Sequence, residues 1–239
     1  MPVDVEIKLL ELTRTRQRIA LNEVAEEMYV RPSTLARSLE NLSGDLAVPY
    51  GSDVIEVDTN QRISIAEKLI HHGRDPERIA RCLMWQEFEN FASDSLTENG
   101  FHSVRHFVFK ANGTRREVDI LAWNDNFLFA IDCKHWAKTN QPSRMRSAVL
   151  AQIERSAVLA GRPELLRRIG LPKIEGRSIM PAMVTLGEPR VNSIERVPII
   201  AVSKLVSFLY GISPRDESFL QIAVKSPGIT LLNAGLPKS

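Results

Sequence analysis

Residues 117–136 of this 239-residue chain read Glu-Val-Asp-Ile-Leu-Ala-Trp-Asn-Asp-Asn-Phe-Leu-Phe-Ala-Ile-Asp-Cys-Lys-His-Trp, two apolar runs rich in strand formers on either side of a polar Asn-Asp-Asn break. That pattern specifies a β-hairpin. A two-residue loop at Asp125-Asn126, of a composition suited to the primed turns that hairpins favour, pairs Asn124 with Phe127 and sets the register. Asp119 then lies opposite Asp132. Side chains alternate between faces, so Val118, Ile120 and Ala122 should share a core face with Phe129, Ile131 and Cys133. Glu117, Asp119 and Leu121 should share the other with Ala130, Asp132 and Lys134.

Directly opposed residues have Cβ atoms roughly 4.5–5.5 Å apart, and like charges placed there destabilise the pair. A positive group should compensate. Mg²⁺, with Mn²⁺ as a substitute, prefers oxygen ligands, and Asp119, Asp132 and the Cys133 backbone carbonyl would supply part of its coordination sphere. Lys134 points to the same face, where its fixed charge offsets carboxylate repulsion and can stabilise charge developing on a phosphate. A purely structural alternative pairs Glu117 with Lys134 and neutralises both aspartates with a nearby arginine.

Asp119 followed after a gap by Asp132-Cys133-Lys134 resembles the signature of the PD-(D/E)xK nuclease superfamily. Upstream, Trp-Gln-Glu-Phe-Glu-Asn-Phe-Ala at 85–92 with Asn-Gly-Phe at 99–101 is similar to the first helix of archaeal Holliday-junction resolvases and Mrr-type restriction enzymes. The resemblance covers residues 78–210 and implies that Glu89 is the helix acid, joining Asp119 and Asp132 as a metal ligand. It also implies that Gln152 is the polar helix residue some members place near the metal. One departure is that Arg116-Glu117-Val118 precedes Asp119, so the proline of the family name is absent. Such nucleases often act as dimers, which implies a homodimer here.

Composition is that of a globular chain, 44% hydrophobic and 25% charged. No apolar run reaches the roughly 18 residues of a membrane span, and no basic-then-apolar leader opens the sequence. The expectation is a soluble cytoplasmic protein with no membrane partner. Two cysteines, Cys82 and Cys133, are too few for a disulfide framework or a four-cysteine zinc site. The net charge of +2 is unevenly divided: −4 over residues 1–72, −2 over 73–130 and +8 over 131–239. Ten basic residues lie within 134–177, among them Lys134, Lys138, Arg144 and Arg146, against three acids. Such a stripe suits a polyanion, and its bland counterpart is a solvated helix face. Arg115 and Arg116 flank the acid pair and are further candidates for phosphate contact.

Earlier in the chain, apolar spacing predicts helices over 3–14, from 23 onward and over 31–42, then short strands at 53–57 and 61–65. Three helices and a hairpin resemble a winged helix-turn-helix, whose third helix would present Ser33, Thr34, Arg37, Ser38 and Asn41 to DNA. The acidic balance of this segment weighs against a strong DNA anchor, and a protein-docking role is the alternative. A helix at 66–72 and a long one at 76–99 should follow. Beyond the hairpin, a helix at 143–161, strands at 180–186 and 197–202, and a helix at 203–210 complete the pattern. The expected protein is therefore α/β, with a winged-helix domain at 1–72 and a three-layer restriction-endonuclease-like domain with a mixed sheet at 73–239. Its expected activity is metal-dependent DNA hydrolysis, on branched or modified DNA, in repair, recombination or restriction. The alternative is a DNA-binding or regulatory protein with a catalytically silent nuclease fold, and RNA is the alternative substrate, since neither metal nor basic stripe distinguishes 2′-hydroxyls.

Overall fold

The structure, a computed structural model, describes residues 5–40, 53–134, 142–171, 174–214 and 216–225. The N-terminal region comprises α1 (Val5–Leu12), β1 (Arg18–Ala20), α2 (Leu21–Glu27), α3 (Pro32–Glu40) and β2 (Val54–Glu56), with β1 and β2 antiparallel. The strand expected at 61–65 does not form. Thr59–His71 is instead one helix, α4. Asp58 Oδ1 accepts the Gln61 N–H and Gln61 Oε1 accepts the Asp58 N–H, both at 2.8 Å. This reciprocal capping starts a helix and puts Ile65, Ala66 and Leu69 into the core. The hairpin expected around residues 58–60 is thus a helix start, and Asn41 lies outside the described residues.

The long helix expected over 76–99 is broken into α5 (Pro76–Cys82) and α6 (Trp85–Glu98). The break coincides with a buried ion pair. Arg62, on α4, is 2% exposed and Glu87 0%. Arg62 Nε donates to Glu87 Oε1 at 2.7 Å and Nη2 donates to the Cys82 carbonyl at 2.6 Å. Its Nη1 reaches the Leu10 carbonyl and Thr13 Oγ1, while Glu87 Oε2 accepts the Met84 N–H at 2.7 Å. The carbonyl that ends α5 and the amide that begins α6 therefore find partners in one ion pair, as buried chain ends require.

The sheet follows as β3 (His102–Ala111), β4 (Thr114–Trp123) and β5 (Leu128–Lys134), antiparallel in turn. Helices α7 (Pro142–Ala160) and α8 (Pro163–Arg167) lead to β6 (Ser178–Thr185). Then come β7 (Ser193–Ile194), β8 (Val197–Ala201), a 3-10 turn (Val202–Lys204), α9 (Leu205–Gly211) and β9 (Ile222–Ala223). The seven strands run β3-β4-β5-β6-β8-β7 with β9 against β6, and β5, β6 and β8 are mutually parallel. The sheet is mixed, as expected, and both faces are covered.

One core joins Phe88, Phe91, Ala92 and Leu96 of α6 to Ile120, Ala122, Phe129, Ile131 and Cys133. It extends without interruption to Leu9 and Leu10 of α1 and to Leu205 of α9, so the N-terminal helices and the sheet share one hydrophobic layer. A second core joins Leu121, Trp123, Leu128 and Ala130 to Leu159, Leu165 and Leu166 beneath α7 and α8.

The β4–β5 register is the expected one, from Ile120 opposite Ile131 to Trp123 opposite Leu128, and Asn124 N–H donates to the Phe127 carbonyl at 3.1 Å. The turn differs in type. Neither Asp125 nor Asn126 has the positive φ that a type I′ turn needs. Asn124 Oδ1 accepts the amides of Asn126 and Phe127, both at 2.9 Å, an Asx turn that satisfies the loop without left-handed backbone.

Replacing Arg62 by Met should leave the Glu87 carboxylate buried and unpaired, lowering unfolding free energy by about 3–5 kcal/mol. The double variant Arg62→Met/Glu87→Leu should regain much of that loss. Urea denaturation followed by circular dichroism would check both.

Candidate active site

The sheet opens at Asp119. Towards β5 the ladder stops at Ile120 and Ile131, and Asp119 Oδ2 accepts the Cys133 N–H at 2.8 Å. Towards β3, the pairs Arg105–Ile120 and Phe107–Val118 bracket an unpaired His106 whose φ is 50°. Left-handed backbone is uncommon in a non-glycine residue. Alternation slips at this point: Val118, expected in the core with Ile120, lies instead with Leu121, Phe107 and Phe109 beneath α7 and α8.

Glu89 reaches the opening from α6, only 1% exposed. Its Oε2 is 3.5 Å from His106 Nε2 and has no hydrogen-bond donor. On its other side His106 Nδ1 lies 3.0 Å from Glu117 Oε1. Burial, and then the charge of Asp119, push the Glu89 carboxyl up to about 7, against the opposing influence of His106 and Trp85. Asp119 is raised too, first by burial and then by Asp132, while the Cys133 N–H pulls it back. The Cys133 thiol is raised well above its ordinary range by burial and by Asp119 and Glu89. Its sulfur belongs to the core.

Asp132, also 1% exposed, is held between two cations. Arg155 of α7 bonds its Oδ1, and Lys134 Nζ lies 2.5 Å from its Oδ2. The lysine approaches off the hydrogen-bonding direction, so Oδ2 is buried without a donor. Lys134 also sits 5.8 Å from the centre of the Trp85 ring, within reach of a cation–π contact. Gln152 is fully buried. Its Nε2 donates to the Ala130 carbonyl at 2.7 Å and its Oε1 accepts Arg155 Nε at 2.9 Å. Gln152 therefore ties α7 to β5 and orients Arg155, which touches the acid itself. Arg155, one helical turn after Gln152, is the nearby arginine that the structural alternative requires beside Asp132.

The expected phosphate contacts divide. Arg115 is exposed, with Glu117 3.5 Å away. Arg116 faces α7 and pairs with Glu154 at 2.8 Å, and Arg146 pairs with Glu195 at 2.7 Å. Arg144 on α7 and Arg37 on α3 are exposed, and Lys138 lies outside the described residues. The basic stripe is partly spent on structure: Arg155 holds Asp132, and Arg177 donates to the Asn124 carbonyl at 2.6 Å.

Among the described residues no three His, Cys, Asp or Glu side chains converge as a metal-holding group. The donor chemistry still fits a hard divalent cation. Glu89 Oε2 is buried without a hydrogen-bond donor, and the charge of Asp119 raises Glu89 while that of Asp132 raises Asp119.

Residues 80–158 match the family model described as a restriction endonuclease, Mrr_cat. The matched stretch runs from α5 to the last turns of α7 and contains Glu89, Asp119, Asp132, Lys134, Gln152 and Arg155. This part of the chain is therefore similar to the restriction-endonuclease-like nucleases. No curated protein matches the sequence. Among solved structures, the crystal structure of AF1548, a protein of unknown function, aligns at 16% identity over 41% of this chain and 44% of that one, with a TM-score of 0.28. The alignment therefore spans less than half of that chain.

The raised Glu89 carboxyl has a stability signature in the metal-free protein. The folded state holds the proton up to about 7, against an ordinary 4.5. The stabilisation this gives is complete below the ordinary value and is lost as pH rises through about 7. In EDTA, Glu89→Gln should raise the melting temperature by several degrees at pH 8 and by much less at pH 5. Equal gains at the two pH values would mean that Glu89 is not held this way.

Proposed function

We propose that the protein is a metal-dependent DNA endonuclease whose nuclease-type domain hydrolyses phosphodiester bonds at the opening beside Asp119. What supports this reading is that Glu89 from α6, Asp119 from β4 and Asp132 from β5 act on one another in pairs at one buried opening, Asp119 raising Glu89 and Asp132 raising Asp119, with Lys134 against Asp132. Glu89, Asp119 and Asp132 would hold Mg²⁺ or Mn²⁺. When bound, the ion would polarise the phosphate and lower the pKa of a coordinated water.

The remaining work falls to the chain. Lys134, fixed between Asp132 and the Trp85 ring, offers a positive charge to the non-bridging oxygens as negative charge accumulates in the transition state. Asp119 keeps its place because the Cys133 N–H holds one oxygen. Gln152 fixes Arg155, whose charge shares Asp132 with Lys134. Arg115, Arg144 and, on α3, Arg37 are the exposed cations proposed to meet the DNA backbone. Branched or modified DNA is the proposed substrate, and a homodimer would supply one site per strand.

A second reading is favoured by two observations: Asp132 is already held between two cations, and among the described residues no three ligands converge. On that reading the fold binds DNA without cutting it.

Cleavage of a panel containing a four-way junction, a linear duplex, a methylated duplex and single-stranded DNA, with Mg²⁺ or Mn²⁺, separates the two. Metal-dependent cutting that falls more than about 100-fold in Asp132→Asn and in Lys134→Ala is expected. Salt-sensitive binding with no cutting of any substrate would favour the silent fold.

A further inference from the structure

The β3–β4 hairpin outruns the rest of the sheet. β4 pairs with β5 only from Ile120 to Trp123, whereas its pairing with β3 continues to Ala111 and Thr114. Six residues of β4, Thr114 to Asp119, are thus part of a two-stranded ribbon that extends about 17 Å past the site at the usual strand rise. The ribbon is stiffened from one side. Phe107, Phe109 and Val118 are buried in the core beneath α7 and α8, and Arg116 pairs with Glu154 of α7.

The other side is bare and carries an unfavourable arrangement. Lys110 and Arg115 are directly opposed in the register and both exposed. Like charges so placed repel, and Lys110 forms no ion pair among the described residues. Next inward is Val108, an apolar residue 40% exposed, opposite Glu117. The Glu117 carboxylate is engaged by His106 and Arg115. His106 then touches Glu89. One exposed face therefore leads from two opposed cations, Lys110 with no ion pair among the described residues and Arg115 beside Glu117, directly to the candidate site, about 13 Å from Arg115 to Asp119.

We propose that this face of the β3–β4 ribbon is a phosphate-binding track for duplex DNA. Lys110 and Arg115 anchor the backbone about four nucleotides from the scissile phosphate, since one strand rises about 3.4 Å per nucleotide. A two-stranded ribbon has the width that the major groove admits. Val108 lies against the sugar edge, and the repulsion between the two cations is relieved by the phosphates they share. The proposal rests on the nuclease reading of the site and adds to it where the flanking duplex lies.

The test is the salt dependence of binding by the full chain to a fluorescein-labelled 30-base-pair duplex, with Ca²⁺ in place of Mg²⁺ to suppress cutting. Lys110→Ala and Arg115→Ala should each reduce the slope of log K against log salt by about 0.9, and the double variant by about twice that. The exposed Arg190→Ala control should leave the slope unchanged. Single neutral methylphosphonates about four nucleotides from the cut should weaken the parent protein and not the double variant. Unchanged slopes in a protein that still binds and cuts would overturn the ribbon track and leave the nuclease reading standing. So would variants that bind DNA normally but self-associate, because the charges would then be guards on an edge strand. A parent protein that neither binds nor cuts duplex would overturn both.

Discussion

A carboxylate occupies the place of a backbone acceptor in the middle of the sheet. Asp119 takes the Cys133 N–H, and from that point β4 leaves β5 while His106 on the other flank gives up its pairing with β4. The strand alternation slips there, which sends Val118 into the lower core and turns the outer ribbon face towards α6. Buried backbone groups must find partners, so an acid is tolerated here because it supplies one. The same burial leaves Glu89 and Asp119 in each other's field. The opening that weakens the ladder is also what creates the acid cluster.

Holding α6 in place is a separate problem, met by Arg62 and Glu87. Their ion pair ends one helix, starts the next and reaches back to the Leu10 carbonyl. Two residues beyond Glu87 is Glu89, and two before it is Trp85, which lies under Lys134. The N-terminal helices thus act on the candidate site through a rigid buried contact. Charge placement around Asp132 follows the same economy, with Gln152 securing an arginine that secures the acid.

Much of this was legible in the sequence where the signals were local. Asn124 and Phe127 bracket the hairpin turn, and the register from Ile120 opposite Ile131 to Trp123 opposite Leu128 follows from them; the expected Asp119–Asp132 pair is not part of the ladder, which stops one residue short of it. The Asp58–Gln61 capping box was equally local, but the alternation of Ile63 and Ile65 imitated a strand and hid it. Other features depend on distant partners. The break at Leu83-Met84 is made by Arg62, twenty residues before Cys82, and no helix-stop residue marks it. Arg155 reaches Asp132 only because α7 crosses β5 at Ala130, a placement no spacing encodes. The left-handed backbone of His106 has no glycine or asparagine to announce it.

On the proposed reading the acids at the opening form a cation site. Titration of Mn²⁺ into the full chain at pH 8, followed by calorimetry, tests it without requiring a substrate. The account predicts saturable binding that is lost in Asp119→Asn and in Glu89→Gln, with the metal raising the melting temperature of the parent protein alone. Absence of binding, or binding indifferent to both substitutions, would contradict it and leave Asp119 as a structural acid that closes a gap in a sheet.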